Sequence, residues 1–446
     1  MKNFYKFFKE KVKEHPDMIY LIDSVNDVKV SYAEADINSD KAANYLINSG
    51  LKKGDIISVV MGNTLEYIYL VLGAFKAGIV VNPFNPRLSE EEINSMIEFT
   101  NPKMVFKEFS LGDYPLDFEG NDASLDDEML LLYSSGTTGK PKGIVLTQGN
   151  VLNGLMNGIE SIKLRKNPII FDLLPLYFSG GLLPSLFVPL YLNGSTIITP
   201  KFDKNEFWRI IEKHKANLIY VVPTMLNMLL DTEALDINSV DFIINSSDYL
   251  PKGLSKKFKE KFKVPLYDIY GLSETLAITI RTEDNDSVGK LIKGMEIKFV
   301  DNEIVVKGPT IMKKYFRMPD ETSKVLKNRW FYTGDLGYID EGNLYITGRK
   351  KDVIIKGGMN ISPNQITEVF LKHSKVEDCA TVGIPDEKYG EDILVFIVGD
   401  VSKEELIEFA KEHLNTFKIP KEIRFIDKIP KNHLGKVLKK ELIRFL

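Results

Sequence analysis

The sequence predicts an α/β protein: a large N-terminal domain of parallel αβ-layered sheets with a small distorted β-barrel, followed by a small α+β C-terminal domain. Short β-branched runs alternate with amphipathic helical patterns through the first two-thirds of the chain, as in layered α/β proteins. Two alternating runs around residues 296–307, joined by Asp301-Asn302, predict a hairpin of the barrel. The pattern changes again after about Lys351, which separates the C-terminal domain.

Hydrophobic periodicity assigns the elements in order. A helix opens the chain, because Phe4, Phe7, Phe8 and Val12 share one helical face between lysines. The elements that follow are strand 56–61, helix 64–77, strand 79–81, helix 89–99, strands 169–174, 196–199, 218–222 and 242–245, helix 254–262 and strand 266–270. We expect the strands to form parallel sheets that helices cover on both faces.

Several predicted helices begin with capping signals. A Ser followed three residues later by Glu or Gln can satisfy two backbone N–H groups at a helix start. This spacing occurs at Ser89 with Glu92, at Ser362-Pro363 with Gln365, and at Ser402 with Glu405. The last two signals predict the helices of the C-terminal domain.

The composition is that of an ordinary globular chain of 446 residues, with 44% hydrophobic and 27% charged residues. These values exclude a disordered or collagen-like chain. The formal net charge is −4, so no global basic field exists to hold DNA or RNA. We therefore expect no nucleic-acid partner, and any polyanionic ligand must be held by local groups.

The cysteine content and the apolar segments predict a cytoplasmic protein. The single cysteine, Cys379, excludes an internal disulfide framework and a Cys-rich zinc module, and fits a reducing compartment. The N-terminus lacks the unbroken apolar region of a secretory signal. Residues 173–200 carry no charge, but prolines and glycines interrupt them. We expect this stretch to be a buried strand and helix, with no integral membrane segment.

A loop rich in Gly, Ser, Thr and Lys follows the apolar run 129–132. Its sequence is Tyr133-Ser134-Ser135-Gly136-Thr137-Thr138-Gly139-Lys140-Pro141-Lys142-Gly143. Glycines let backbone N–H groups close around phosphate oxygens, hydroxyls donate further hydrogen bonds, and lysines neutralise charge. The loop is not a Walker A motif, because Ser134 replaces a required glycine and Pro141 replaces the Ser or Thr after the lysine. The pattern predicts a triphosphate site.

This loop closely resembles the signature of the adenylate-forming (AMP-binding) superfamily, which contains acyl-CoA synthetases, adenylation domains and beetle luciferases. Other motifs of the family follow in the family's order along the whole chain. They are Tyr270-Gly271-Leu272-Ser273-Glu274-Thr275, Tyr332-Thr333-Gly334-Asp335, Gly348-Arg349-Lys350-Lys351-Asp352 and Gly435-Lys436. The resemblance implies an N-terminal adenylation domain (1–348), a hinge (349–352) and a mobile C-terminal domain (353–446).

The resemblance also implies the nucleotide-binding residues. Tyr270 would stack on adenine, Asp335 would accept the ribose hydroxyls, and Arg349 would contact ribose or phosphate. The catalytic residues would be Lys436, Glu274 and Thr138, with Glu274 and Thr138 binding Mg²⁺. The full set expected to bind ATP or AMP is Ser134, Ser135, Gly136, Thr137, Thr138, Gly139, Lys142, Tyr270, Gly271, Ser273, Asp335, Arg349 and Lys436.

The family resemblance implies a reaction in two steps. A carboxylate and Mg·ATP first give an acyl-adenylate and pyrophosphate, and Lys436 offsets the repulsion between the two anions. The C-terminal domain then rotates about Lys351 in the hinge and admits the thiol of coenzyme A. Lys356, Gly357 and Gly358 resemble the loop that lines the pantetheine tunnel. The thiol needs no dedicated base, because it is already a competent nucleophile toward a mixed anhydride.

The acyl pocket is expected to be mostly apolar. It would be built from segments 178–181, 223–227, 245–249 and 271–278, and the residues assigned to it are Phe178, Gly180, Gly181, Asn245 and Leu272. Phe178 replaces a histidine of many CoA ligases, and it cannot form the ion pair that amino-acid-activating relatives make through Asp. The segment 246–250 also departs from the family's Gly-Gly-Ala-Pro-Leu. The prediction is a fatty or aromatic acid.

The sequence thus predicts an AMP-forming acyl-CoA synthetase whose partners are a small carboxylic acid and CoA. Two alternatives stay open: an adenylating enzyme that loads a carrier protein, and a nucleotide-binding protein without catalytic activity. A homodimer is an open possibility for the assembly.

Overall fold

The computed structural model describes residues 2–120, 122–133, 142–246, 250, 252–431 and 437–444. The helices in these ranges are α1 (Phe4–Glu14), α2 (Tyr32–Asn48), α3 (Leu65–Ala77), α4 (Glu90–Thr100), α5 (Gln148–Glu160), α6 (Ser179–Leu192), α7 (Phe207–His214), α8 (Pro223–Leu229), α9 (Lys252–Phe262), α10 (Pro319–Val325), α11 (Pro363–Phe370), α12 (Lys403–His413) and α13 (Lys439–Ile443).

The strands in the N-terminal part are β1 (Ile19–Asp23), β2 (Val28–Ser31), β3 (Ile56–Val59), β4 (Val80–Pro83), β5 (Met104–Phe106), β6 (Glu128–Tyr133), β7 (Gly143–Thr147), β8 (Ile169–Asp172), β9 (Ser195–Ile198), β10 (Leu218–Val221), β11 (Phe242–Asn245), β12 (Leu266–Leu272), β13 (Leu276–Arg281) and β14 (Lys290–Leu291). The later strands are β15 (Glu296–Val300), β16 (Glu303–Lys307), β17 (Lys314–Tyr315), β18 (Leu326–Lys327), β19 (Trp330–Asp340), β20 (Asn343–Arg349), β21 (Ile354–Lys356), β22 (Met359–Ile361), β23 (Val376–Asp386), β24 (Gly390–Gly399) and β25 (Glu422–Phe425).

Two mixed sheets with parallel centres form the large N-terminal part. The first has the order β14-β13-β12-β11-β10-β8-β9-β1-β2 and is parallel from β12 to β1. The second has the order β17-β7-β6-β4-β3-β5 and is parallel from β6 to β5. Central strands such as β10 are buried along their whole length, as helices on both faces require. The α/β prediction is confirmed.

A third sheet, which is antiparallel, stands where the small barrel was expected. Its order is β15-β16-β19-β18, and β20 pairs with β19. The hairpin predicted between β15 and β16 forms, because Asp301 and Asn302 take φ values of 51° and 62°. Two residues of positive φ match the twist of the strands that they join.

The C-terminal part has its own sheet and core. The sheet order is β22-β21-β24-β23, and β25 pairs with β24 in parallel. Its central cluster packs α11 and α12 against this sheet through residues such as Phe370 and Leu406. Cys379 belongs to this cluster and is buried.

The capping predictions hold at two helix starts and fail at one. Ser89 and Glu92 form a complete capping box at α4, and the Ser402 hydroxyl accepts the N–H of Glu405 at α12. At α11 the buried Ser362 hydroxyl has no hydrogen-bond partner among the residues that the structure describes. The helix starts instead on Pro363, whose fixed φ suits the first helical position.

The uncharged stretch 173–200 is buried, as expected. It contains α6 and β9, and Pro184 and Pro189 lie inside the helix. Over the part of the chain that the structure describes, no helix combines the length and apolarity needed to cross a membrane.

Candidate active site

The carboxyl end of β12 provides the floor of the predicted nucleotide site. Tyr270 and Gly271 lie there, and the pairing of β12 with β13 is irregular between them. A Cβ atom on Gly271 would lie 1.7 Å from the carbonyl oxygen of Leu276. Only glycine permits this approach of the two backbones. Packing therefore explains why a glycine follows the tyrosine in the Tyr-Gly motif.

Tyr270, Asp335 and Arg349 form a connected triad next to that floor. The Tyr270 hydroxyl donates to Oδ2 of Asp335 at 2.8 Å. Nε of Arg349 lies 2.8 Å from Oδ1 of Asp335. Asp335 and Arg349 meet because they pair across β19 and β20. The sequence predicted that these three residues bind the same nucleotide, and in the structure they are in contact with one another.

The electrostatics of the triad suit a ribose. Asp335 is 2% exposed, and its two oxygens each accept one hydrogen bond from the protein. Each carboxylate oxygen has a second lone pair, so two ribose hydroxyls can still donate to it. Burial and the neighbouring Asp335 raise the pKa of Tyr270, which therefore keeps the proton that it donates.

Glu303 supports the triad and was not found from the sequence. It is 6% exposed, and its Oε1 accepts the backbone N–H of Gly334 at 3.1 Å. Its Oε2 lies 2.9 Å from Nζ of Lys350. The Thr333 hydroxyl accepts the N–H of Asp335 at 3.0 Å, which completes the turn. Glu303 precedes Gly334 by 31 residues, so no local pattern connects them.

A second group of side chains lies where the phosphates and Mg²⁺ are expected. The Tyr315 hydroxyl donates to Oε1 of Glu274 at 2.9 Å. Nζ of Lys142 lies 2.6 Å from Oε2 of Glu321. The ion pairs with Lys142 and Lys324 lower the pKa of Glu321 to about 2. The sequence predicted Lys142 and Glu274, and it missed Tyr315 and Glu321.

These residues fit a magnesium ion that arrives with the nucleotide. Among the described residues no three His, Cys, Asp or Glu side chains converge on a point that could hold a metal. Mg²⁺ is commonly held by one or two carboxylates together with substrate phosphates and water. Glu274 can supply that carboxylate, because Tyr315 uses only one lone pair of Oε1.

Several predicted residues lie outside the described residues. They are Ser134, Ser135, Gly136, Thr137, Thr138 and Gly139 of the phosphate loop, and the catalytic candidate Lys436. Ser273 lies in the described turn between β12 and β13, next to Glu274.

The segment 178–181, which was predicted to line the acyl pocket, lies at the start of α6. Phe178 precedes the helix, and its ring centroid lies 4.7 Å from that of Tyr177. Gly180 and Gly181 follow in the first turn. A Cβ on Gly181 would lie 2.3 Å from the carbonyl oxygen of Pro175, so this turn requires glycine.

Asn245 and Leu272 were also predicted to line the acyl pocket. Asn245 is fully buried, and its amide donates to Oδ1 of Asp268 at 2.7 Å. Nη2 of Arg281 lies 3.4 Å from Oδ2 of the same carboxylate. Leu272 is half-buried at the end of β12. Asn245 is thus tied into a buried network instead of presenting its amide at an open surface.

The hinge candidate Lys351 is exposed and lies among charged groups. Partial desolvation of its ammonium group and the nearby Arg349 lower the pKa of Lys351. Its neighbour Asp352 binds Lys439 at 2.9 Å, which connects the hinge to α13.

Lys356, Gly357 and Gly358 form the end of β21 and the turn to β22. The two glycines have φ values of 56° and 81°, as a tight hairpin turn requires. Nζ of Lys356 lies 2.5 Å from Oδ1 of Asp392, and the lysine is 9% exposed. In this arrangement of the domains Lys356 therefore lies in a buried ion pair and not along an open tunnel.

Comparison with known proteins agrees with the resemblance to adenylate-forming enzymes. The family of AMP-binding enzymes matches residues 8–120 and 110–316, and the AMP-binding enzyme C-terminal domain matches residues 365–436. The chain is 32% identical to the 2-succinylbenzoate–CoA ligase of Bacillus mycoides strain KBAB4, over 94% of each chain.

Three solved structures, of two proteins, share the whole fold. ATP-bound MatB from Rhodopseudomonas palustris superposes with a TM-score of 0.94 at 26% identity, covering 100% of this chain and 99% of that one. The apo form of MatB gives a lower TM-score, 0.83. The o-succinylbenzoate CoA synthetase of Bacillus subtilis, in complex with the acyl-adenylate OSB-AMP, gives 0.88 at 28% identity, covering 98% and 97%.

The chain belongs to the AMP-binding enzyme family. It is an acyl-CoA synthetase of the adenylate-forming type, an AMP-forming acid–thiol ligase that uses ATP, Mg²⁺, a carboxylic acid and CoA. The predictions of family, reaction class and cofactors are confirmed.

Proposed function

We propose that the acid is an aromatic carboxylic acid, with 2-succinylbenzoate as the first candidate. The observation that carries this proposal is the 32% identity, over 94% of each chain, to a 2-succinylbenzoate–CoA ligase. The neighbouring aromatic rings of Tyr177 and Phe178, at the start of α6, would suit an aromatic acid.

For the first half-reaction we propose the roles that the sequence assigned. Asp335 accepts the ribose hydroxyls, Arg349 supports Asp335 and the ribose, and Tyr270 stacks on adenine. Lys142 binds phosphate, and Glu274 binds the Mg²⁺ that accompanies ATP. The roles of Thr138 and Lys436 rest on the sequence motifs alone. Positioned charges of this kind act where charge builds up during acyl transfer to the α-phosphate.

For the second half-reaction we propose that residues 349–352 form a hinge between domains 1–348 and 353–446. The chain superposes better on ATP-bound MatB than on the apo form, with TM-scores of 0.94 and 0.83. We infer that the domains stand as they do for adenylation. Rotation about Lys351 would then bring Gly357 and Gly358 toward the thiol of CoA. A cytoplasmic location suits the single buried cysteine, Cys379.

The test is pyrophosphate release with Mg·ATP across 2-succinylbenzoate, benzoate and medium- and long-chain fatty acids, each with and without CoA. We expect CoA-dependent turnover with the highest kcat/KM on 2-succinylbenzoate. A preference for fatty acids would overturn the substrate assignment. Release that CoA does not accelerate would favour loading of a carrier protein, and no release with any acid would favour a silent nucleotide-binding protein.

A further inference from the structure

Four side chains form a connected cluster beside the predicted phosphate loop, which we call the Lys142 cluster: Lys142, Glu274, Tyr315 and Glu321. The pairing of β7 with β17 builds it, because Tyr315 lies opposite Ile144. The N–H of Phe316 also donates to the carbonyl of Gly143 at 2.7 Å. The strand that leaves the phosphate loop is therefore fixed against the strand that carries Tyr315.

Helix α10 brings Glu321 to this cluster. The Thr322 hydroxyl accepts the N–H of Tyr315 at 3.0 Å and donates to the carbonyl of Met318 at 2.8 Å. These bonds anchor the helix to β17, and the adjacent residue Glu321 reaches Lys142 at 2.6 Å. Glu321 also contacts Lys324 one turn along the helix. A second cation is thus available to the carboxylate if Lys142 leaves it.

Lys142 is engaged on two sides by side chains of the protein. Its Nζ contacts Glu321 and lies 4.9 Å from the centroid of the Tyr315 ring. The ring in turn donates through its hydroxyl to Glu274. A carboxylate at this position neutralises the ammonium and repels an incoming phosphate, because both are anions.

We propose that Glu321 is a positioning residue that competes with the phosphates of ATP for Lys142. The inference rests on the proposed role of Lys142 in ATP binding. Binding of Mg·ATP then exchanges the Glu321 carboxylate for phosphate at the ammonium, and Glu321 keeps its contact with Lys324. In the absence of nucleotide, the pair holds Lys142 beside Tyr315, close to its working position.

The experiment measures the Kd of Mg·ATP by calorimetry, without acid or CoA, for the wild type, Glu321→Gln and Asp320→Asn. Asp320→Asn is the matched control, because it removes the same charge one residue away. We expect Glu321→Gln to lower the Kd about two- to fivefold, the range for a partly exposed ion pair. Asp320→Asn should leave it nearly unchanged. Loss of a purely structural contact would weaken binding instead.

A double-mutant cycle with Lys142→Ala separates the ion pair from a general charge effect. In the Lys142→Ala background, Glu321→Gln should no longer lower the Kd. An unchanged or higher Kd in Glu321→Gln would overturn the inference, and so would an equal gain in Asp320→Asn or in the Lys142→Ala background. If the wild type binds no Mg·ATP, the proposed function fails and the inference fails with it.

Discussion

Asp335 is held by side chains from three separate strands. Tyr270 comes from β12 and Arg349 from β20, while Thr333 on β19 accepts the N–H of Asp335 itself. The carboxylate therefore stands in one orientation before a nucleotide arrives. Such preorganisation lowers the free-energy cost of binding, because few side chains remain to be ordered.

We expect Asp335→Ala to raise the Kd of AMP about 10- to 100-fold. Hydrogen bonds to a charged group contribute about 1.5–3 kcal/mol each, and about 1.4 kcal/mol is a tenfold change. Calorimetric titration with AMP measures the effect. Asp340→Ala, at the exposed end of the same strand, is the control and should leave the Kd unchanged. Equal affinity of AMP for Asp335→Ala and the wild type would exclude the ribose role.

Gly271→Ala should destabilise the fold by about 3 kcal/mol or more. The new methyl group would meet the Leu276 carbonyl at 1.7 Å, which forces β12 and β13 apart. Gly253→Ala is the contrasting variant, since a Cβ there meets no atom within 4 Å and the residue lies in α9. It should stabilise by about 0.5–1 kcal/mol. Denaturant unfolding measures both, and similar values for the two variants would contradict the argument.

At the scale of elements, a cluster of charges joins α1, α2 and α3. Nζ of Lys76 on α3 is fully buried and lies 2.6 Å from Asp36 and 2.7 Å from Asp40, both on α2. Lys9 on α1 binds the same two carboxylates at 2.8 and 2.6 Å. The positive charges of two ammonium groups thus balance the negative charges of two carboxylates between the helices. Removing any one of the four groups should therefore lower the stability of the fold.

We expect Asp40→Ala to lower the free energy of unfolding by about 3–5 kcal/mol, because it leaves a buried ammonium with less compensating charge. Glu10→Ala is the control. Its ion pair with Lys2 is exposed, so the change should stay within about 1 kcal/mol. Urea denaturation compares the two. A cost below 1 kcal/mol for Asp40→Ala would show that water or rearrangement compensates Lys76.

At the scale of the whole molecule, the proposed mechanism needs two arrangements of the domains. Arg349 at the end of β20 is bound to Asp335, while Asp352 three residues later is bound to Lys439. The segment between these two ion pairs contains Lys351. The first residue of the proposed hinge therefore contacts the N-terminal part of the chain, and its last residue contacts the C-terminal part.

The domain rotation predicts that Lys436→Ala affects the two half-reactions differently. Adenylation, followed by pyrophosphate release, should fall by about two orders of magnitude or more, the size typical of removing one group that stabilises developing charge. Transfer from a preformed acyl-adenylate to CoA should stay near the wild-type rate, since the proposed rotation would by then have moved the lysine out of the site. Equal losses in both steps would contradict the rotation.

The nucleotide side of the site could be predicted from the sequence because the residues assigned to it occur in short motifs. Tyr270 and Gly271 are adjacent, and Asp335 follows Thr333 and Gly334 within one turn, so each motif carries its own geometry. The supporting residues gave no such signal. Tyr315 follows Glu274 by 41 residues and Glu321 follows Lys142 by 179, and nothing near Tyr315 or Glu321 marks them as partners.

By itself the sequence determined the α/β class, the separate C-terminal domain and the adenylate-forming chemistry, because periodicity and local motifs are encoded by neighbours. The same motifs predicted the nucleotide-binding residues. The tertiary structure alone decided that Lys142 pairs with Glu321, that Glu303 supports the turn of Asp335, and that Lys356 is buried against Asp392. These contacts join strands and helices far apart in the chain. Their formation depends on strand order and register, which no short stretch of residues specifies.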